Sequence, residues 1–128
     1  MHDTDPLTGE IISAAIAVSR GLGVGLLESV YATCLAHELG KRSLGVSRQP
    51  TLPVIYSGVR MEMAFRPDLI IQQEVIVEVK AVTGFLPLHQ AQLLNYMRLS
   101  AVKKGLLFNF THSLRQGNQT YGPVDPVP

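Results

Sequence analysis

Cysteine is almost missing from this 128-residue chain, with Cys34 alone. An internal disulfide is therefore excluded, and the expected setting is a reducing cytoplasm. Cys34 lies among apolar neighbours at helical spacing and reads as a small core residue. Aromatic residues make up only 6%. No window approaches the 18 uninterrupted apolar residues that a membrane helix needs, so no membrane partner is expected. The first residues, M-H-D-T-D-P, are acidic and lack the character of a secretory signal. His2, His37, His89 and His112 show no close ligand spacing, which argues against zinc. A formal charge of +1 falls well short of a dedicated non-specific DNA binder. The glycine-rich R-G-L-G-V-G at Arg20–Gly25 is no phosphate loop, because no strand precedes it and no Walker lysine follows. Internal repeats are absent too.

What is present is apolar: 46% hydrophobic residues and a mean hydropathy of +0.19. The length suits one domain over 1–128, with a core at about 8–115 and a loose tail over 116–128. So much apolar surface on a small domain also suggests a homodimer. The periodicity predicts helices over Leu7–Arg20, capped by Thr8 or Asp5, and Leu26–Arg42, with Leu27, Val30, Tyr31, Cys34 and Leu35 buried. A third helix is expected over Pro87–Val102, apolar around most of its circumference. Strands are expected over Val46–Tyr56, interrupted by Pro50 and Pro53 as an edge or a bulged entry, then Val59–Ile71 and Val75–Ala81, as a three-strand meander turning at Ser57-Gly58. A short strand, Gly105–Phe110, returns parallel to the third by a helical crossover.

Chemistry concentrates in R-P-D-L-I-I-Q-Q-E-V-I-V-E-V-K, Arg66 to Lys80. With Gln72, Gln73 and Glu74 as the turn, Ile71 faces Val75 and Asp68 faces Glu78. Facing residues of an antiparallel pair project from one side with Cβ atoms roughly 5 Å apart. Glu78 and Lys80 share a face, since side chains alternate along a strand. Two carboxylates at that separation repel by roughly 3 kcal/mol at an effective dielectric near 20. A divalent cation relieves this, and carboxylate oxygen suits magnesium or manganese. A salt bridge from Lys80 to one acid, with the other solvated, is the competing reading. Glu28 is either a dipole partner for its helix N-terminus or a third carboxylate leaning over the hairpin. On the third helix Gln92, Tyr96, His89 and Ser100 share one sector, which faces either the acids or water.

Pro67-Asp68 followed by Glu78-Val79-Lys80 resembles the motif of the PD-(D/E)xK nuclease superfamily. Gly25-Leu26-Leu27-Glu28-Ser29-Val30-Tyr31 is similar to the signature of its GxxExxY protein family. His89 to Tyr96, with Gln92 and Tyr96 at Q-x-x-x-Y spacing, resembles that family's helix, and Gly105–Phe110 its closing strand. Val24 stands where the resemblance expects proline. The resemblance covers roughly residues 8 to 115. It implies an α/β, restriction-endonuclease-like core: a mixed four-stranded sheet flanked by about three helices. It further implies that Glu28, Asp68, Glu78 and the Val79 carbonyl bind Mg2+ or Mn2+. Lys80 would orient or deprotonate the attacking water, Gln92 would hold that water or Lys80, and Tyr96 would touch a substrate phosphate. His89 matches the family helix and falls on the substrate side. The implied activity is metal-dependent hydrolysis of nucleic acid, DNA before RNA. The alternative is a nuclease-like domain that binds nucleic acid or a protein partner and cuts nothing.

Overall fold

In the computed structural model, residues 5–111, 114 and 118–122 are described. Helix α1, Pro6–Leu22, starts where Asp5 accepts a hydrogen bond from the Thr8 N–H at 2.8 Å, with Pro6 in the first turn. Of the two expected caps, Asp5 fills the role. Gly23, at a φ of 73°, ends the helix. Helix α2 is Glu28–Lys41. Strands β1 (Val46–Arg48), β2 (Leu52–Tyr56), β3 (Val59–Phe65), β4 (Leu69–Ile71) and β5 (Val75–Lys80) follow. Helix α3, Pro87–Ser100, then leads to β6 (Lys104–Asn109) and β7 (Asn118–Tyr121).

The main sheet has five strands in the order β1-β4-β5-β6-β7, and β2 and β3 form a separate two-stranded hairpin. Only β5 and β6 run parallel; the other described pairings are antiparallel. The sheet is thus mixed and the α/β class holds, but it has five strands where four were expected.

The expected meander is corrected as well. Val59–Ile71 is not one strand: it breaks at Arg66-Pro67-Asp68, leaving β3 in the hairpin and β4 in the main sheet. Pro67 has no N–H for a ladder. Val46–Tyr56 is interrupted as expected: it breaks where Gln49 takes a φ of 45° before Pro50, and its register shifts between Leu52 and Val54, around Pro53. The tail also differs, because β7 pairs with β6 inside it. Residues 116, 117 and 123–128, with His2, His112 and Arg115, lie outside the described residues.

Side-chain alternation sorts the core into two layers. Leu69, Ile71, Val75, Val77, Val79, Leu106 and Phe108 pack against α1 and α2. Ile70, Ile76 and Leu107 pack against Leu93 and Met97 of α3. Helix α3 buries just that pair, while Leu88 is 69% exposed. Its apolar residues therefore do not make it buried all round, as expected from composition: one stripe meets the sheet, Leu94 and Tyr96 are partly buried beside it, and Leu88 meets solvent. The β2–β3 hairpin turns at Ser57-Gly58, with φ values of 53° and 77°, and leaves Ile55, Tyr56, Val59 and Met61 exposed. Its base is fastened to α3 by Phe65 stacked on Tyr96, ring centroids 4.7 Å apart.

Candidate active site

The site exists because β5 outruns β4. The last β4–β5 pair is Leu69 with Val77, so the next β4-facing N–H groups of β5, on Val79 and Ala81, meet no strand. Carboxylates take the strand's place. Asp68 Oδ2 accepts from the Val79 N–H at 2.7 Å, and Glu28 Oε2 accepts from the Ala81 N–H at 2.9 Å. The Val79 carbonyl faces the same way as its N–H, between the two anchored acids. Asp68 is itself held, since its carbonyl accepts from the Gln49 N–H at 2.9 Å. Pro67 beside it is buried.

Glu78 projects on the α3 side and is only 4% exposed. Burial, then hydrogen bonding and charge from Asp68, push its carboxyl up to about 9, with Lys80 pulling weakly the other way. At neutral pH Glu78 therefore keeps its proton. The expected register, Asp68 beside Glu78 and Ile71 against Val75, is what the structure shows. The competing salt bridge is not formed: among the described residues, no ion pair includes Lys80, Asp68 or Glu78. Lys80 is half-buried on the same face of β5 as Glu78.

The α3 sector also faces the acids. Tyr96 has its pKa raised by burial and then by the charges of Glu78 and Asp68, while a side-chain hydrogen bond with Gln92 lowers it. His89 stands apart from that pair. Its Nδ1 accepts from the Leu86 N–H at 3.0 Å, its own N–H donates to the Leu86 carbonyl at 2.9 Å, and Phe85 meets its ring edge-on. The structure thus uses His89 to close the start of α3. Ser100 turns back on its own helix, donating to the Tyr96 carbonyl at 2.6 Å.

Glu28 comes to the same strand end without joining the pair. Among the described residues, no three Asp, Glu, His or Cys side chains cluster tightly enough to hold one ion together. Two residues along a strand separate the Val79 and Ala81 anchors by about 6.6 Å. The helix stripe expected around Leu27 is also corrected. Leu27 is 74% exposed and Val30 is exposed, whereas Tyr31, Leu35 and Leu39 are fully buried. At about 100° per residue, Glu28 falls between Leu35 and Leu39, at the centre of the buried face. It escapes burial because the first turn of α2 overhangs the sheet end.

Tyr31 explains the G-x-x-E-x-x-Y spacing. Its hydroxyl donates to the Gly23 carbonyl at 2.7 Å and accepts from the Leu26 N–H at 3.2 Å. Its ring stacks on Phe110 at 4.6 Å. Gly25, at a φ of 95°, lets the chain double back onto that hydroxyl. Tyr31→Phe is expected to lower stability by about 1–2 kcal/mol, read by urea denaturation; unchanged curves would mean the turn does not depend on the hydroxyl.

Sequence reading missed Asn109, which is 1% exposed. Its amide donates to the Val82 carbonyl at 2.8 Å and accepts from the Val82 and Thr111 N–H groups. It thereby extends the β5–β6 ladder past Lys80 with a side chain. The signal was there, as a lone amide inside L-L-F-N-F.

The donors suit a hard divalent cation. Asp68, half-buried, and Glu78, buried, bring carboxylate oxygens into contact, and a proton held by Glu78 relieves the repulsion that a cation would otherwise offset. A sequence model of the PD-(D/E)XK nuclease superfamily matches residues 5–121. No curated protein and no solved structure matches the chain.

Proposed function

From its place in the PD-(D/E)XK nuclease superfamily, to which this chain belongs, we propose that it is a magnesium- or manganese-dependent nuclease that hydrolyses phosphodiesters in DNA. Within the superfamily we assign it to the GxxExxY proteins. The observation carrying this reading is Asp68 set against the buried Glu78 carboxyl, neither in an ion pair among the described residues, with Lys80 on the same face. Asp68, Glu78 and the Val79 carbonyl would hold the cation, and Glu28 would take a second position along β5. When bound, a divalent cation supplies a more acidic water and offsets phosphate charge. Lys80 orients that water and holds a proton near it. Gln92 fixes the Tyr96 hydroxyl, and Tyr96 contacts the phosphate. We give His89 an indirect part, setting the start of α3 behind Gln92.

No helix among the described residues is long and apolar enough to cross a membrane. A cytoplasmic location fits the lone Cys34 thiol, and the exposed apolar hairpin at Ile55, Tyr56, Val59 and Met61 supports a homodimer.

The test is incubation of the purified protein with labelled single- and double-stranded DNA in magnesium, manganese or EDTA. Cleavage in either metal, abolished by EDTA and by Asp68→Ala, is the expected result. Metal binding without cleavage of any strand would replace the nuclease by a silent, nucleic-acid-binding domain.

A further inference from the structure

Beside the acids, a groove of about 250 Å3 opens between α2 and the ends of β1 and β4. Glu28 and Asp68 line it together with Ser29, Thr33, Arg48 and Gln49. Arg48 is the cation among its lining residues; it is exposed and tied at two points. Its backbone pairs with Leu69, one residue from Asp68, and its guanidinium donates to Thr33 Oγ1 at 2.7 Å. Arg48 forms no ion pair with an acid among the described residues, a state it shares with Arg20, Arg66, Lys80, Arg98 and Lys103; what sets it apart is its place in the groove beside Glu28 and Asp68. An arginine fixed between a helix and a strand, near two acids yet bonded to neither, keeps a fork of N–H donors for an anion.

The groove's course suits a nucleic-acid backbone. Ser29 and Thr33, four residues apart, share one face of α2 beside Arg48, and Thr33 lies about 7.5 Å further along the helix axis than Glu28. Successive phosphates of an extended nucleic-acid strand are separated by a similar step. We propose that this groove binds the backbone phosphate adjacent to the one at the Asp68–Glu78 pair, with Arg48 as its principal ligand and the Ser29 and Thr33 hydroxyls beside it. The cut strand then lies across the first two turns of α2. The inference rests on the nuclease reading and adds the path of the substrate.

The test measures binding apart from cleavage. Anisotropy of a labelled single-stranded oligonucleotide is followed in EDTA over a series of salt concentrations. Arg48→Ala should weaken binding about tenfold and reduce the salt slope by about one counterion. In manganese it should raise KM by a similar factor and leave kcat within about twofold. Arg48→Lys keeps the charge but loses the planar fork, so it should fall between the two. Arg20→Ala, which removes an exposed cation on α1, should bind like the wild type. Wild-type affinity and salt slope in Arg48→Ala overturn the inference, as does a wild-type protein that does not bind the oligonucleotide. Binding that shows the Arg48 deficit without cleavage in any metal supports the groove and overturns the nuclease.

Discussion

Glu78→Gln will make the metal-free protein more stable at pH 8 and remove its response to manganese. The folded-state pKa of Glu78, about 9, lies far above its ordinary 4.5. Between those values the folded chain holds a proton that the unfolded chain has released. The resulting stability is fully present below pH 4.5 and is lost as pH climbs towards 9, at up to about 1.4 kcal/mol per unit. Glutamine has the shape of the protonated acid and does not ionise. The two proteins should therefore match near pH 4.5 and differ by roughly 4 kcal/mol at pH 8. Urea denaturation in EDTA at pH 5 and pH 8 measures this. Manganese should raise the melting temperature of the wild type, more so at higher pH because binding displaces the proton on Glu78, and leave Glu78→Gln unmoved. The same pH dependence in both proteins would show that Glu78 is not the buried acid described above.

Lys80→Ala should cut the cleavage rate by about 10²–10⁴, the usual contribution of a positioned acid–base group. It should keep a manganese-induced rise in melting temperature, since no acid is removed. A second consequence has a definite sign. The ammonium lowers the pKa of Glu78, so its loss raises that pKa and moves metal binding to higher pH. Lys80→Arg separates two roles, because arginine retains charge and cannot give up its proton at working pH. Activity restored by arginine points to orientation of water or phosphate; activity still missing points to proton transfer. Cleavage at the wild-type rate in Lys80→Ala would sink the assignment.

The chemical centre was legible because strand alternation is strict. Once Gln72–Glu74 is the turn, Asp68, Glu78 and Lys80 follow by counting, and the ladder from Ile71–Val75 to Leu69–Val77 agrees. The turn's cost was hidden. Gln72 and Gln73 adopt φ values of 55° and 57°, a conformation that neither residue type advertises. Gln72 bonds the Gly45 N–H and Gln73 the Ser47 hydroxyl, tertiary contacts that no local pattern encodes.

The split of Val59–Ile71 between two sheets was equally hidden, since a proline in an apolar run marks an edge as readily as a break. Leu27 was misplaced because periodicity gives a helix face but not where the supporting sheet stops. Strand β7, N-Q-T-Y, has no apolar alternation and forms only because β6 offers it an edge. Arg48 could not be separated from other surface cations until Thr33 was seen to hold it.

The anchoring of Asp68 and Glu28 on main-chain amides of β5 also governs how readily a cation is captured. Flexible carboxylates must be gathered and immobilised as the ion arrives, which weakens binding by the entropy they lose. Here that ordering is completed when the polypeptide folds, so an ion bound as proposed would meet oxygens already held in position. Affinity for a cation bound as proposed would thus depend on how well the sheet end is formed, and residues remote from the acids, Asn109 among them, would share in determining it.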